Sequence, residues 1–180
     1  NYFPNEDGIL FFVRELLPEI RRRAGLPVRV LVVGASPSPR MREISGVEGV
    51  SVIGEVADVA PYYAEADAVI VPLRTGGGTR IKVLEGFRFR RPVISTRAGA
   101  EGHEVSHGVE LLLAETPGEW ADACRLLVEQ RAFAAEMADR AFAWVKVHCN
   151  LEAATRPLAA AYGLAAKAGA GSNTNATESS

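Results

Sequence analysis

This 180-residue chain has only two cysteines, Cys124 and Cys149, and they lie too far apart to form a C-x-x-C pair. They read as reduced thiols on helices, as in a cytosolic protein, with a disulfide between them as the open alternative. The chain also lacks a charge excess. Lys and Arg number 20 against 22 Asp and Glu, a net −2, so nothing points to a nucleic-acid polymer as partner. No apolar run is long enough to span a bilayer, and no signal peptide is visible. There is no internal repeat. There is no initiating methionine either, and the chain enters a helix almost at once, so a fragment of a longer protein is expected. What remains is ordinary for a domain with a real core: 48% hydrophobic residues and 23% charged.

Short aliphatic runs alternate with amphipathic stretches. "VRVLVVG" (28–34), "VSVIG" (50–54), "DAVIVPL" (67–73), "RPVIST" (91–96) and "VELLLAE" (109–115) read as strands, the first nearly continuous in Val and Leu as a strand buried on both faces should be. Before the first, Asn5 is placed to cap a helix with Ile9, Leu10, Val13, Leu16, Leu17 and Ile20 on one side, stopped by Gly25 and Pro27. Further helices are expected near 41–44 and over 57–66, 80–90, 117–129, 132–147 and 151–166. The alternation implies an α/β fold, a Rossmann-like parallel sheet flanked by helices with further helices at the C-terminus. One folded domain is expected over 1–166, with a disordered polar tail over 167–180 that includes "GAGSNTNATESS". Ligands of such sheets bind beyond the carboxyl ends of the strands.

"HEVSH" (103–107) matches the H-E-x-x-H zinc-protease pattern, which works only on a helix with both histidines on one face and a third ligand. Gly99, Gly102 and Gly108 surround it, each costing about 1 kcal/mol of helix propensity. The remaining histidine is His148. A strand-end loop is expected there, and no metal site.

The informative stretch is "VPLRTGGGTRIKVLEG" (71–86). Gly76, Gly77 and Gly78 let the backbone approach a ligand closely, and Thr79 is placed to cap the next helix, leaving an anion site at its positive end. Arg80 and Lys82 add cations. Spaced i, i+2, they cannot point the same way, and Arg80, nearer the helix end and bidentate, is the one expected to reach a phosphate. Glu85 can accept two hydroxyl hydrogen bonds from a ribose. The plainer alternative is a capped glycine turn with Glu85 merely solvated. "RFRR" (88–91) reads as the exposed, cationic end of the same helix.

Taken in order, "VSVIGEVADV", "ADAVIVPLR-x-GGGTR-x-K-x-LE", "RPVIST" and "GAEG" resemble the donor-binding C-terminal half of GT-B glycosyltransferases of group 1, family 4 type, from Asn1 to about Tyr162. The resemblance implies one of two Rossmann-like domains facing a cleft. This half would bind a nucleotide sugar, UDP- or GDP-linked, and transfer would retain anomeric configuration without an obligatory metal or other cofactor. The acceptor site would lie on an absent N-terminal domain, so this chain alone would be inactive and would hold no assigned catalytic residue. It further implies glycan or polysaccharide biosynthesis of bacterial type in the cytoplasm, with any membrane contact, peripheral at the inner face, made through the absent domain. Glu85 matches the second glutamate of the family's pair, Gly78 and Thr79 the amides that meet the diphosphate, and Gly54, Glu55 and Val56 the loop flanking the base. The loop from Gly99 to Gly102 matches the same rim.

Three departures stand out. The pair's first glutamate falls on Gly77. The small residues expected after the second are Gly86, Arg88 and Arg90. The basic residue expected on the first helix falls near Asp7, and its companion arginine would precede Asn1. The diphosphate charge then falls to Arg80, Lys82 or Arg74. A nucleotide-sugar epimerase or phosphorylase half, or a non-catalytic nucleotide-binding module, are the other readings of the same architecture.

Overall fold

A computed structural model describes residues 3–75 and 80–149. The expected helix at 151–166, the tail at 167–180 and the glycine segment from Gly76 to Thr79 lie outside the described residues. The chain divides into two compact units, Asn1–Lys146 and Val147–Ser180, and the strands, both cores and the candidate site belong to the first.

Among the described residues, five strands form: β1 (Val30–Val33), β2 (Val50–Gly54), β3 (Val69–Val71), β4 (Val93–Ser95) and β5 (Leu112–Leu113). All pair in parallel, but in two ladders, β1–β2 and β3–β4–β5. Val69 lies opposite Val93 and Ile94 opposite Leu112, while a bulge between Val32 and Val33 brings Val33 opposite Gly54. The last strand is shorter than expected because Val109 and Glu110 turn back to the Ser106 carbonyl, and the Glu110 carboxylate accepts the Ser106 N–H.

The helices are α1 (Phe3–Phe11), α2 (Leu17–Ala24), α3 (Pro39–Glu43), α4 (Ala60–Glu65), α5 (Ile81–Arg88), α6 (Arg97–Ala100), α7 (Pro117–Glu129) and α8 (Arg131–His148). Two corrections concern the first. The helix is already formed at Phe3, so Asn5 is an interior residue and not a cap. It is also not one α-helix, because Phe12–Leu16 widens into a π-turn. Pro18, in the first turn of α2, has no N–H for the carbonyl four residues back, and its ring crowds that carbonyl. Gly25, with φ 65°, ends α2 by donating to the Arg21 carbonyl. α4 begins later than expected, because Asp58 accepts the Ala60 N–H and holds a turn before it.

Alternation along the strands explains the layers. Ile70, Ile94 and Leu112 belong to a core with Leu10, Val13, Leu16, Leu17 and Ile20 of the first helical stretch, Trp120 of α7 and Met137 of α8. Their neighbours Val69, Val71, Val93, Leu111 and Leu113 join a second core with Val83 and Phe87 of α5 and Ala141 and Trp144 of α8. Each fully buried large side chain is worth about 1.5–3 kcal/mol, so both faces of β3–β4–β5 are covered at a large gain. Trp120 meets Phe12 edge to face at 5.5 Å. Cys124 sits within α7, and burial pushes its thiol up to about 11, so it stays protonated. Among the described residues, no helix is long and apolar enough to cross a membrane.

Candidate functional site

The carboxyl ends of β3 and β4 are tied together by two buried hydroxyls. Ser95 donates from Oγ to the Thr96 carbonyl at 2.9 Å, with the Val71 carbonyl 3.3 Å away. Thr96 donates to the Leu73 carbonyl, and its Oγ1 accepts the Gly99 N–H at 2.9 Å, capping α6. The chain entering the glycine segment is thereby locked to the loop after β4. From the other side α1 closes in at Gly8, where a Cβ would stand 2.8 Å from the Pro72 carbonyl oxygen. Only glycine permits that approach, and it brings Asp7 to Arg74. Their fork is bidentate, at 3.1 and 2.9 Å, and the Arg74 guanidinium lies 4.9 Å from the Phe11 ring centroid.

α5 carries the rest. It starts at Ile81, so the N-cap position falls on Arg80 and not on Thr79, and Arg80 makes no side-chain capping bond. Its guanidinium is buried, with the side chain 4% exposed, and donates to Glu101 at 3.0 Å. The fork expected to meet a phosphate instead holds down the loop after α6. Lys82, by contrast, is exposed on the first turn, and its Nζ is 2.8 Å from Glu85 Oε2. Every cation nominated from the sequence therefore has its own carboxylate: Arg74 with Asp7, Arg80 with Glu101, Lys82 with Glu85.

Glu85 has a second donor. The Tyr63 hydroxyl of α4 reaches the same Oε2 at 2.9 Å, and the Tyr63 ring stacks on Phe89 at 4.3 Å with planes 8° apart. Burial, then the bond to Glu85, hold the Tyr63 phenol well above its ordinary range, so it acts as a donor. Sequence reasoning placed Tyr63 on a helix but missed this role. A tyrosine 22 positions before a glutamate carries no periodic signal, and the pairing exists only once α4 and α5 pack side by side.

The base-side loop leaves β2 at Gly54, whose φ of 83° turns the chain away from the strand toward exposed Glu55 and half-buried Val56. Gly102, with φ 86°, is exposed on the rim, and an added Cβ there would meet nothing. Gly99 lies deeper than Gly102. It is buried, its N–H is taken by Thr96, and a Cβ would clash with Ser95 Oγ and lie 2.7 Å from the Val71 carbonyl oxygen. It packs α6 closely on β3. Gly86 is similar, since a Cβ there would come 2.6 Å from Val93.

"HEVSH" is not helical. His103 meets Trp144 edge to face at 5.9 Å, and His107 Nδ1 accepts the Leu113 N–H at 2.9 Å. Among the described residues, no group of three or more His, Cys, Asp or Glu side chains could hold a metal ion.

Comparison with known proteins fits this architecture. A family model described as glycosyl transferases group 1 matches residues 1–130. The chain is similar to the C-terminal domain of a group 1 glycosyl transferase family protein (LpcC) from Francisella tularensis. The two are 18% identical with a TM-score of 0.64, over 84% of this chain and 83% of that one. It is similar to sucrose-phosphate synthase from Thermosynechococcus elongatus at 21% identity and a TM-score of 0.68, over 89% of this chain and 43% of that one. HepE from Anabaena, solved with UDP and glucose, is 19% identical with a TM-score of 0.65, over 81% of this chain and 43% of that one. The chain thus spans less than half the length of the last two. Comparison with curated proteins gives no match.

Proposed function

The chain belongs to the group 1 glycosyl transferases, and from that membership we propose that it is the domain holding the nucleoside-diphosphate sugar donor. The observation that carries this reading is Glu85. It sits one turn into α5, the helix that follows β3 and the glycine segment, and is half-buried. Both donors that reach it land on Oε2. Oε1 is left to accept ribose hydroxyls. The donor would lie along the strand ends, its base toward Gly54–Val56, its diphosphate over Gly76–Thr79 and the start of α5, and Gly102 on the rim. Transfer would occur with retention, to an acceptor bound by a second domain beyond this chain. A HepE structure contains UDP and glucose, which makes a uridine donor the first to try. Family membership favours sugar transfer over an epimerase, a phosphorylase half or a non-catalytic module.

The diphosphate's charge falls to the protein's own cations, without an obligatory metal. Which one serves is decided by the cost of opening its ion pair. An exposed i, i+3 Lys–Glu pair is worth about 0–1 kcal/mol, whereas Arg74 has a bidentate partner and a ring beneath it, and Arg80 is buried. Lys82 is therefore the cation that turns to the diphosphate.

A thermal-shift series with UDP, GDP, ADP and their sugars, in the presence of EDTA, tests the reading. A ligand that binds only the folded chain stabilises it by about 2.7 kcal/mol at a hundred times its dissociation constant. At least one of these nucleotides is expected to raise Tm. A flat series at millimolar concentration contradicts the reading, and a shift that needs Zn²⁺ and vanishes in His103→Ala would favour a metal site.

A further inference from the structure

Glu85 can serve a ribose only if its carboxylate is held in one orientation, and the structure shows what holds it. Of the two donors on Oε2, Lys82 is exposed on a flexible four-carbon stem and joined to Glu85 by a contact that solvent screens. The Tyr63 hydroxyl is different. Tyr63 is half-buried, its ring lies flat against Phe89 at 4.3 Å, and its O–H reaches Oε2 from a separate helix at 2.9 Å. Phe89 is fixed in turn just past the end of α5, where its N–H bonds the Glu85 carbonyl at 3.0 Å and Arg90 at φ 49° turns the chain away. The end of α5 thus carries the ring that orients the tyrosine that orients the glutamate on that helix.

We propose that Tyr63 is a positioning residue that locks Glu85 Oε2 and so reserves Oε1 for the two ribose hydroxyls, setting the preference for ribonucleotides over nucleotides without those hydroxyls. The inference rests on the donor-binding reading of Glu85. Its physical basis is acceptor capacity: each carboxylate oxygen offers about two acceptor positions. A fixed donor on Oε2 leaves the carboxylate plane set before ligand arrives. Without it, the carboxylate swings about its terminal torsion and must be ordered by the ribose itself, at the ligand's expense. Lys82 cannot substitute, because the same side chain is the one drawn toward the diphosphate. "RFRR" also acquires a specific part, since Phe89 is half-buried between exposed Arg88 and Arg90.

The test is calorimetric titration of the chain with UDP, GDP and ADP, each beside its 2′,3′-dideoxy counterpart. Wild type is expected to prefer the ribonucleotide of the pair it binds. Tyr63→Phe keeps the ring on Phe89 and removes one hydroxyl. Its preference is expected to fall about fivefold, the scale of one net hydrogen bond, while dideoxynucleotide affinity stays at the wild-type value and the fold is kept. Phe89→Leu keeps the hydroxyl but removes its support, and should lose preference in the same selective way. It decides the matter if Tyr63→Phe does not fold. Equal losses for both nucleotides, or a full preference in either folded variant, would make Tyr63 a packing residue and overturn the proposal. A wild-type chain that binds ribo- and dideoxynucleotide equally would overturn the ribose role of Glu85 itself, a different result from a preference that survives in Tyr63→Phe.

Discussion

Carboxylates already neutralise Arg74, Arg80 and Lys82, so a diphosphate bound here would have to exchange partners with one of them. Lys82 is the side chain that exchanges most cheaply. Lys82→Ala is expected to weaken nucleoside diphosphate binding more than nucleoside binding, with a difference that shrinks as salt rises. Arg80→Ala should behave otherwise. Losing the buried partner of Glu101 lowers stability by about 1–3 kcal/mol, read as a drop in Tm, with no selective effect on the diphosphate. The reverse pattern, measured by calorimetry at two salt concentrations, would return the phosphate role to Arg80. The residue types at this end of the sheet were legible in "GGGTRIKVLEG", because glycines, cations and a carboxylate at a strand end have few other uses. Which cation is exposed was not legible. Spacing shows that Arg80 and Lys82 point differently but not that Glu101, 21 positions on, waits for one of them.

At the scale of elements, close approach is what positions the site. Gly99 lets α6 lie against β3 and Gly8 lets α1 lie against the turn after β3. Gly99→Ala is expected to cost about 1–3 kcal/mol through overpacking and to weaken nucleotide binding through the Thr96 clamp. A denaturant midpoint equal to wild type would show that α6 shifts freely. The helix ends make a separate prediction about acid. Side-chain hydrogen bonds from Arg22 and then Arg23 hold Glu19 down at about 2, from an ordinary 4.5. The Thr116 and Glu115 backbone N–H groups likewise lower Glu119 in the cap of α7. Carboxyls with depressed folded-state values contribute stability that is complete above their unfolded value and lost as pH falls through the folded one. Stability should therefore decline between pH 4.5 and about 2, and Glu19→Gln with Glu119→Gln should flatten that decline in Tm measured against pH. An unchanged slope contradicts the assignment. Element types were legible from periodicity, as the buried stripe from Leu10 to Ile20 shows. The π-turn was not legible, since Pro18 within a helical pattern signals a break as readily as a widening. Nor was the short β5, which depends on Ser106 and Glu110 closing a turn.

For the whole molecule, alternation of side chains between two cores covers both faces of β3–β4–β5, which leaves the strand ends as the place where such a sheet binds ligands. That much follows from five aliphatic runs and the helices between them. The split into two ladders does not, because the runs themselves look alike. On the reading proposed above, this face binds a nucleoside diphosphate through Glu85. Calorimetric titration of wild type and Glu85→Ala with UDP, GDP and ADP in EDTA tests it most directly. One site per chain is expected for at least one of them, weakened about 10- to 100-fold in Glu85→Ala, the scale of charge-assisted hydrogen bonds, with the fold intact. No binding to wild type, or equal affinity in the two proteins, would contradict it.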